Sequence, residues 1–338
     1  MSFHNLSISV LKVGRQLAGS LAVAAFFMLA LFGCIKEESA VTPQPIDLTL
    51  IKSRISLGTD YRYQAFYNLE KDSMLSRNLK FDWDVAFDAS NTEGVSLYLN
   101  SAKYMFASPV TKGNFETLKD TVGFFNNRRW DASNRPDSPA IGSIKSLDKF
   151  FVIDRGYDAA GDAAGFVKIK FEAVNDKKIK FKYANISETK GTQVDIARTN
   201  TYNLVYFSFK TGTEVMVEPP KDNWDLKFTQ YIHTFTNPYI PYLVTGVLIN
   251  PFNTTVAVDS LTSFDKVDRA FSQNMTFKNN PDVIGYNWKD FIDGAYATKS
   301  KYIYVIKNSK NMLFKLRFTD FYDAQGVKGT PRFEFQRL

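Results

Sequence analysis

Cys34 is the only cysteine in 338 residues, and its position gives the thiol one specific chemistry. It follows Leu31-Phe32-Gly33 at the end of an apolar run, Leu17 to Gly33, which Lys12 and Arg15 precede; no acidic residue appears before Glu37. That is the pattern of an export signal. Small Gly33 lets a signal peptidase approach, and the sulfur of Cys34 can take a diacylglyceryl group, although Phe32 is bulkier than usual for a lipobox. Several acyl chains, each buried CH₂ adding roughly 0.8 kcal/mol, would hold the mature chain on a bilayer without a spanning helix. The alternative is an uncleaved anchor, for which the run is near the lower length limit. With no second cysteine, no disulfide can form within the chain.

Other reactive side chains are few. Beyond Cys34 there is one histidine, His233, within Tyr231-Ile232-His233-Thr234-Phe235. Period 2 groups it with Tyr231 and Phe235, so it reads as a partly buried imidazole bonded to a backbone carbonyl. Met275, like Met105, Met216 and Met312, reads as gap-filling core. The stretch Phe235-Thr236-Asn237-Pro238-Tyr239-Ile240-Pro241-Tyr242 is too rigid and apolar for an ordinary solvent loop; it either walls a ligand slot or covers a sheet edge. There is no histidine pair, free thiol, glycine-rich phosphate loop or metal-spaced cluster, so no catalytic residue is assigned and an enzyme is not expected.

These residues need a scaffold, and the composition points to strands. Apolar residues make up 44% and aromatics 15%, with 30 Phe and 17 Tyr, a balance that favours sheet. The net charge of +7 is spread mostly as single lysines between apolar residues, the mark of a solvated sheet face rather than a nucleic-acid stripe. Val167, Ile169 and Phe171 alternate with Lys168, Lys170 and Glu172, and Ile179, Phe181 and Tyr183 with Lys178, Lys180 and Lys182, on either side of Asn175-Asp176. This predicts an antiparallel hairpin with one apolar and one lysine face. Turns are also expected at 210–213 and 308–311, and short helix only around Ser263–Phe271.

Four blocks recur in order. Phe66-Tyr67-Asn68-Leu69 and Trp83-Asp84 return as Tyr206-Phe207-Ser208-Phe209 and Trp224-Asp225, at intervals of 140 and 141 residues. Phe151-Val152-Ile153 returns as Tyr304-Val305-Ile306, and Phe166–Phe171 as Leu313–Phe318. Conserved order and near-constant spacing indicate a duplication. The expected organisation is a signal peptide at 1–33, lipidated Cys34 and a flexible spacer at 34–50, β modules at 51–186 and 199–338, and a connector at 187–198. Each Trp-Asp pair should open a buried strand, the indole filling core volume and the carboxylate accepting backbone N–H groups at the strand edge.

The run Tyr202–Gly212, then Asn223-Trp224-Asp225-Leu226-Lys227-Phe228, then Leu316–Asp323 with Gly326, Lys328-Gly329 and Phe333-Glu334-Phe335, resembles the HmuY family of haem-binding surface lipoproteins. The second unit carries the resemblance, and the first looks like a diverged copy. The resemblance implies an all-β fold of antiparallel sheets, two such modules in tandem, with little helix apart from the signal segment. It further implies a lipid-anchored protein of the outer membrane, facing the cell exterior, that takes haem from host haem proteins and passes it to a TonB-dependent receptor. The alternative is the same fold binding a glycan, a peptide or a receptor partner. Two acidic residues, Glu37 and Glu38, soon after Cys34 resemble a surface-export signal. In well-known members two histidines hold the iron; here Asp293 stands at one ligand's place, so bis-histidine ligation is absent. The ligand-binding candidates are His233, Met275, Tyr239 and Tyr242, with no metal assigned, haem as the cofactor and no nucleic-acid partner.

Overall fold

The alternation read from the sequence becomes antiparallel sheet throughout a computed structural model, which describes residues 47–338 except 89, 91–93, 145, 146 and 176. Cys34, the export segment and most of the spacer therefore lie outside the described residues. The first unit contains β1 (Ile51–Arg54), β2 (Tyr63–Asn68), β3 (Ser73–Leu79), β4 (Val85–Phe87), β5 (Ser96–Leu99), β6 (Phe106–Val110), β7 (Gly142–Ser143), β8 (Phe150–Asp154), β9 (Phe166–Val174) and β10 (Lys178–Asn185). The rest of the chain supplies β11 (Thr192–Ala197), β12 (Val205–Ser208), β13 (Thr213–Val215), β14 (Leu226–Thr236), β15 (Tyr239–Ile249) and β16 (Thr255–Asp259). It continues through β17 (Lys289–Ile292), β18 (Ala295–Thr298), β19 (Ile303–Lys307), β20 (Leu313–Tyr322) and β21 (Lys328–Arg337). Among the described residues, α-helix is confined to α1 (Phe124–Asn127) and α2 (Arg269–Ser272). With the turn at Phe264–Lys266, α2 falls where helix was expected. No helix among the described residues is long and apolar enough to cross a membrane.

The strand order does not keep the two units apart. One sheet runs β1-β21-β20-β19-β16 and another β11-β10-β9-β8-β6. Two more run β13-β12-β4-β5-β7 and β15-β14-β2-β3. In all four, strands from before residue 186 pair with strands from after it. The leading strands are exchanged: β1, β2 and β3 of the first unit join the sheets of β14–β21, while β11 from the connector and β12 and β13 of the second unit join those of β4–β10. The cores follow the exchange. Ile55, Leu57, Tyr67 and Leu69 pack with Phe228, Trp288, Phe318 and Phe333. Ile196, Phe207 and Phe209 pack with Val85, Ile153, Phe171 and Phe181. The packing boundaries therefore differ from the boundaries of the sequence units at 51–186 and 199–338: sequence neighbours such as β9 and β10 still pair as hairpins, but strands from across the connector complete their sheets.

Both Trp-Asp pairs sit where the exchange crosses. Trp83 packs edge-on against Tyr206 at 4.8 Å and Trp224 against Phe66 at 4.9 Å. The Asp84 carboxylate accepts the N–H of Phe209 at 2.7 Å, and that of Asp225 the N–H of Leu69 at 2.8 Å. Each carboxylate thus accepts a backbone N–H at a strand edge, as expected, but the donor belongs to the other unit. Asn100 and Asn250 close the corners in parallel fashion. Each amide donates to the carbonyl of the tryptophan before its aspartate, Asn100 to Trp83 at 2.8 Å and Asn250 to Trp224 at 3.2 Å.

The lysines are less uniformly solvated than their alternation suggests. Lys168 and Lys315, at matching positions of β9 and β20, are buried rather than on an open face. Lys168 Nζ donates to the Leu118 carbonyl at 2.7 Å and Lys315 Nζ to that of Phe264 at 2.8 Å. Phe115 and Phe264 lie over the two ammonium groups, at 5.0 and 4.6 Å. Period 2 assigns a face correctly, but it cannot show that a loop will cover that face.

The crossing core also encloses a carboxyl. Glu218 accepts the N–H of Leu204 at 2.8 Å and the hydroxyl of Tyr206 at 3.2 Å, and burial pushes it up to about 7 against the pull of Lys227. The unfolded chain loses this proton near pH 4.5 and the folded chain only near pH 7. Stability therefore falls as pH rises through that window. Replacing Glu218 by Gln removes the penalty, so the unfolding free energy of Glu218→Gln relative to the parent should rise by on the order of 2–3 kcal/mol between pH 4 and pH 8. Urea melts at the two pH values measure this, and a difference independent of pH would contradict it.

Candidate functional site

His233 lies near the far end of β14, in the long hairpin with β15, where it pairs directly across from Tyr242. Phe235 pairs with Ile240 and Thr236 with Tyr239 in the same ladder. Because directly paired residues share a face and successive residues alternate, His233, Phe235, Ile240 and Tyr242 occupy one face and Tyr239 the other. The Phe235 and Tyr242 rings are 5.7 Å apart. The imidazole meets Phe235 and Tyr286 edge-on, each at 5.2 Å. The stretch 235–242 is thus the tip of a hairpin, with Phe235, Tyr239, Ile240 and Tyr242 exposed.

The imidazole is not bonded to a backbone carbonyl as the sequence suggested. Its Nδ1 lies 3.4 Å from Asp282 Oδ2, and its Nε2 lies 3.4 Å from the Asn134 side-chain amide nitrogen. Asn134 is itself fixed, accepting from Thr234 N at 2.9 Å and donating to Thr234 O at 3.0 Å. An amide that donates to Nε2 leaves the proton on Nδ1, directed at Asp282. Burial raises the Asp282 pKa, while the histidine beside it pulls the other way. Chemically this is a carboxylate-oriented imidazole whose Nε2 lone pair is engaged, among the described residues, by one long contact, the arrangement that suits a histidine to bind a metal. Tyr231 contributes a buried hydroxyl without a hydrogen-bond partner among the described residues, on the strand two residues earlier.

The opposite face is also built. Trp130 Nε1 donates to Thr234 Oγ1 at 2.9 Å and its ring lies 5.5 Å from that of Tyr239. The Arg135 guanidinium hydrogen-bonds to the Tyr239 hydroxyl and sits 5.0 Å from the centre of the ring. Of the four expected ligand-binding residues, the fold brings His233 and Tyr242 together, puts Tyr239 behind them, and places Met275 elsewhere. Met275 packs partly buried against Phe264, Val267 and Ile303 and lines a cleft of ≈ 750 Å³ with Phe271, Lys278 and Asp282. Asp282 thus borders both that cleft and the imidazole. Asp293 occupies the exposed turn between β17 and β18 at φ 50°, while Trp288 before it is buried, stacked 4.1 Å from Phe318.

Asp282, Asn134, Trp130, Arg135 and Tyr286 were not legible in the sequence. Asn134 is 99 residues and Asp282 49 residues from His233, so no spacing could link them. A single feature hinted at the region, the run of aromatics around His233.

The described residues thus place an oriented histidine on an exposed aromatic hairpin within an all-β scaffold. Residues 200–335 match the family model described as HmuY protein, so the resemblance to the HmuY family read from the residues is shown over that segment. No curated protein matches the chain. Among solved structures, apo PinO from Porphyromonas gingivitis is similar at 9% identity and TM-score 0.32, covering 86% of this chain and 97% of its own. The apo HmuY analog TFO from Tannerella forsythia is similar at 11% identity and TM-score 0.23, covering 86% and 98%. An HmuY-like protein from Bacteroides vulgatus is similar at 10% identity and TM-score 0.19, covering 86% and 95%. At such low identities and scores, nothing about the ligand follows from these likenesses.

Proposed function

We propose that this protein is a haem-binding carrier and not an enzyme, with His233 as the iron ligand supplied by the chain. The observation that carries this is the imidazole itself: Nδ1 faces the Asp282 carboxylate, Nε2 meets the Asn134 amide and nothing else among the described residues, and Phe235, Tyr242 and Tyr286 lie around it. A porphyrin needs flat apolar walls, and its iron accepts an axial nitrogen. Asp282 would hold the ring orientation, and Asn134 would release Nε2. Lys299 lies close enough to Tyr286 to draw that phenol down against its burial, but its ammonium is paired with Asp290 at 2.7 Å and would have to leave that pair to meet a propionate. Asp293 stands in an exposed turn and is a poor iron ligand, which leaves single-histidine ligation as the reading for this chain.

The same proposal places the protein on the outer membrane, lipidated at Cys34 and facing outward, receiving haem from host haem proteins and delivering it to a TonB-dependent receptor. Its support is the export and lipidation pattern of residues 12–34 together with the HmuY match at 200–335. Titrating haem into the mature chain tests the ligand. A Soret band should sharpen and shift on binding, His233→Ala should weaken the affinity at least tenfold, and Met275→Ala should leave it unchanged. An absent shift would sink haem binding, and a shift unchanged in His233→Ala would remove the histidine from it.

A further inference from the structure

Where the exchanged units cross, a second concavity of ≈ 650 Å³ opens on the side of Asn100 and Asn250. Its walls come in matching pairs: the ends of β5 and β15 with the residues just beyond them, and the loops 131–139 and 279–281. Clefts of about 300–1,000 Å³ between packed bodies are common ligand sites. We propose that this cleft is a separate site for a sugar ring, with Tyr98 and Phe252 as flat faces and Asp131 and Asp137 as hydrogen-bond acceptors.

Asp131 is built into the cleft. Its Oδ2 accepts the N–H of Leu99 at 2.6 Å and its Oδ1 the N–H of Ala140 at 2.7 Å. Both oxygens are therefore fixed by backbone, with lone pairs remaining for a ligand hydroxyl. Phe252 lines the same cleft and is 52% exposed. Asn280 adds an amide able both to donate and to accept, which is what a ring of hydroxyls requires. The charge balance selects against other ligands. Two carboxylates face one cation, Arg135, which Tyr239 already engages, so an anion is disfavoured. The lining contains no histidine, methionine or cysteine, which sets it apart from the His233 surface and from a porphyrin iron. What remains favoured is a neutral polyhydroxylated ring with one apolar face.

Saturation-transfer NMR on the full mature chain tests the site with glucose, galactose, mannose, N-acetylglucosamine and their disaccharides as probes. At least one should receive saturation. Titration should show binding weakened tenfold or more by Phe252→Ala and by Asp137→Asn, two surface changes that leave the melting temperature near that of the parent. His233→Ala should bind the same sugar unchanged, and haem should not displace it. Lack of transfer to every probe, or transfer unaffected by both cleft variants, would overturn the proposal. The haem titration is read independently of either result.

Discussion

Asp84→Ala is expected to lower the unfolding free energy by roughly 3–5 kcal/mol, the usual cost of stranding buried charge. Asp84 is 1% exposed; its carboxylate pairs with the ammonium of Lys103, 4% exposed, and with Arg155 Nη2 at 3.3 Å. It also accepts the Phe209 N–H, which fixes an exchanged strand. Burial lowers the Lys103 pKa even though Asp84 raises it, so the desolvation of the ammonium outweighs their attraction. The pair is therefore a weak source of net stability, yet removing one member leaves the other in an apolar surround. Asp225, at the matching position, accepts the Leu69 N–H, and no side-chain cation is paired with it among the described residues. Asp225→Ala should cost only the unsatisfied amide, roughly 1–3 kcal/mol. Urea denaturation of both variants measures the contrast, and equal losses would show that Lys103 and Arg155 contribute nothing to it.

A single cut in the connector should leave one particle. Thr189 and Lys190 are exposed, so a protease site inserted between them is accessible in the folded protein. The fragments should then coelute on gel filtration and melt in one transition, separating only in denaturant. Ile55, Leu57, Tyr67 and Leu69 reach from the first fragment into the core of the second, and Ile196, Phe207 and Phe209 reach back. At about 1.5–3 kcal/mol for each large apolar side chain buried, the seven together are worth on the order of 10–20 kcal/mol. That matches or exceeds the roughly 4–15 kcal/mol of freedom lost when two bodies associate. Two modules packed side by side with their own complete cores would instead separate on dilution, and separation in native buffer would refute the exchanged arrangement.

Much of the scaffold was legible because sheet periodicity is local. The hairpin of β9 and β10 follows from the alternation of Val167, Ile169 and Phe171 with polar neighbours, and the core places of Trp83 and Trp224 follow from the strands they open. The recurrence of Trp-Asp likewise marked two equivalent corners. Lys168 and Lys315 show the limit, since their burial depends on loops that no alternation reports.

The sequence by itself determined the all-β class, the paired corners and the HmuY resemblance of the second unit, because each is carried by short, ordered patterns of residue type. The tertiary structure alone decided which strands complete which core, and that His233 faces Asp282 and Asn134 rather than a carbonyl. It alone separated Met275 from His233 and opened a cleft at the crossing. The physical reason is the same in each case: a strand edge or a side chain takes the partner that folding brings near, and neither chain distance nor periodicity encodes that choice.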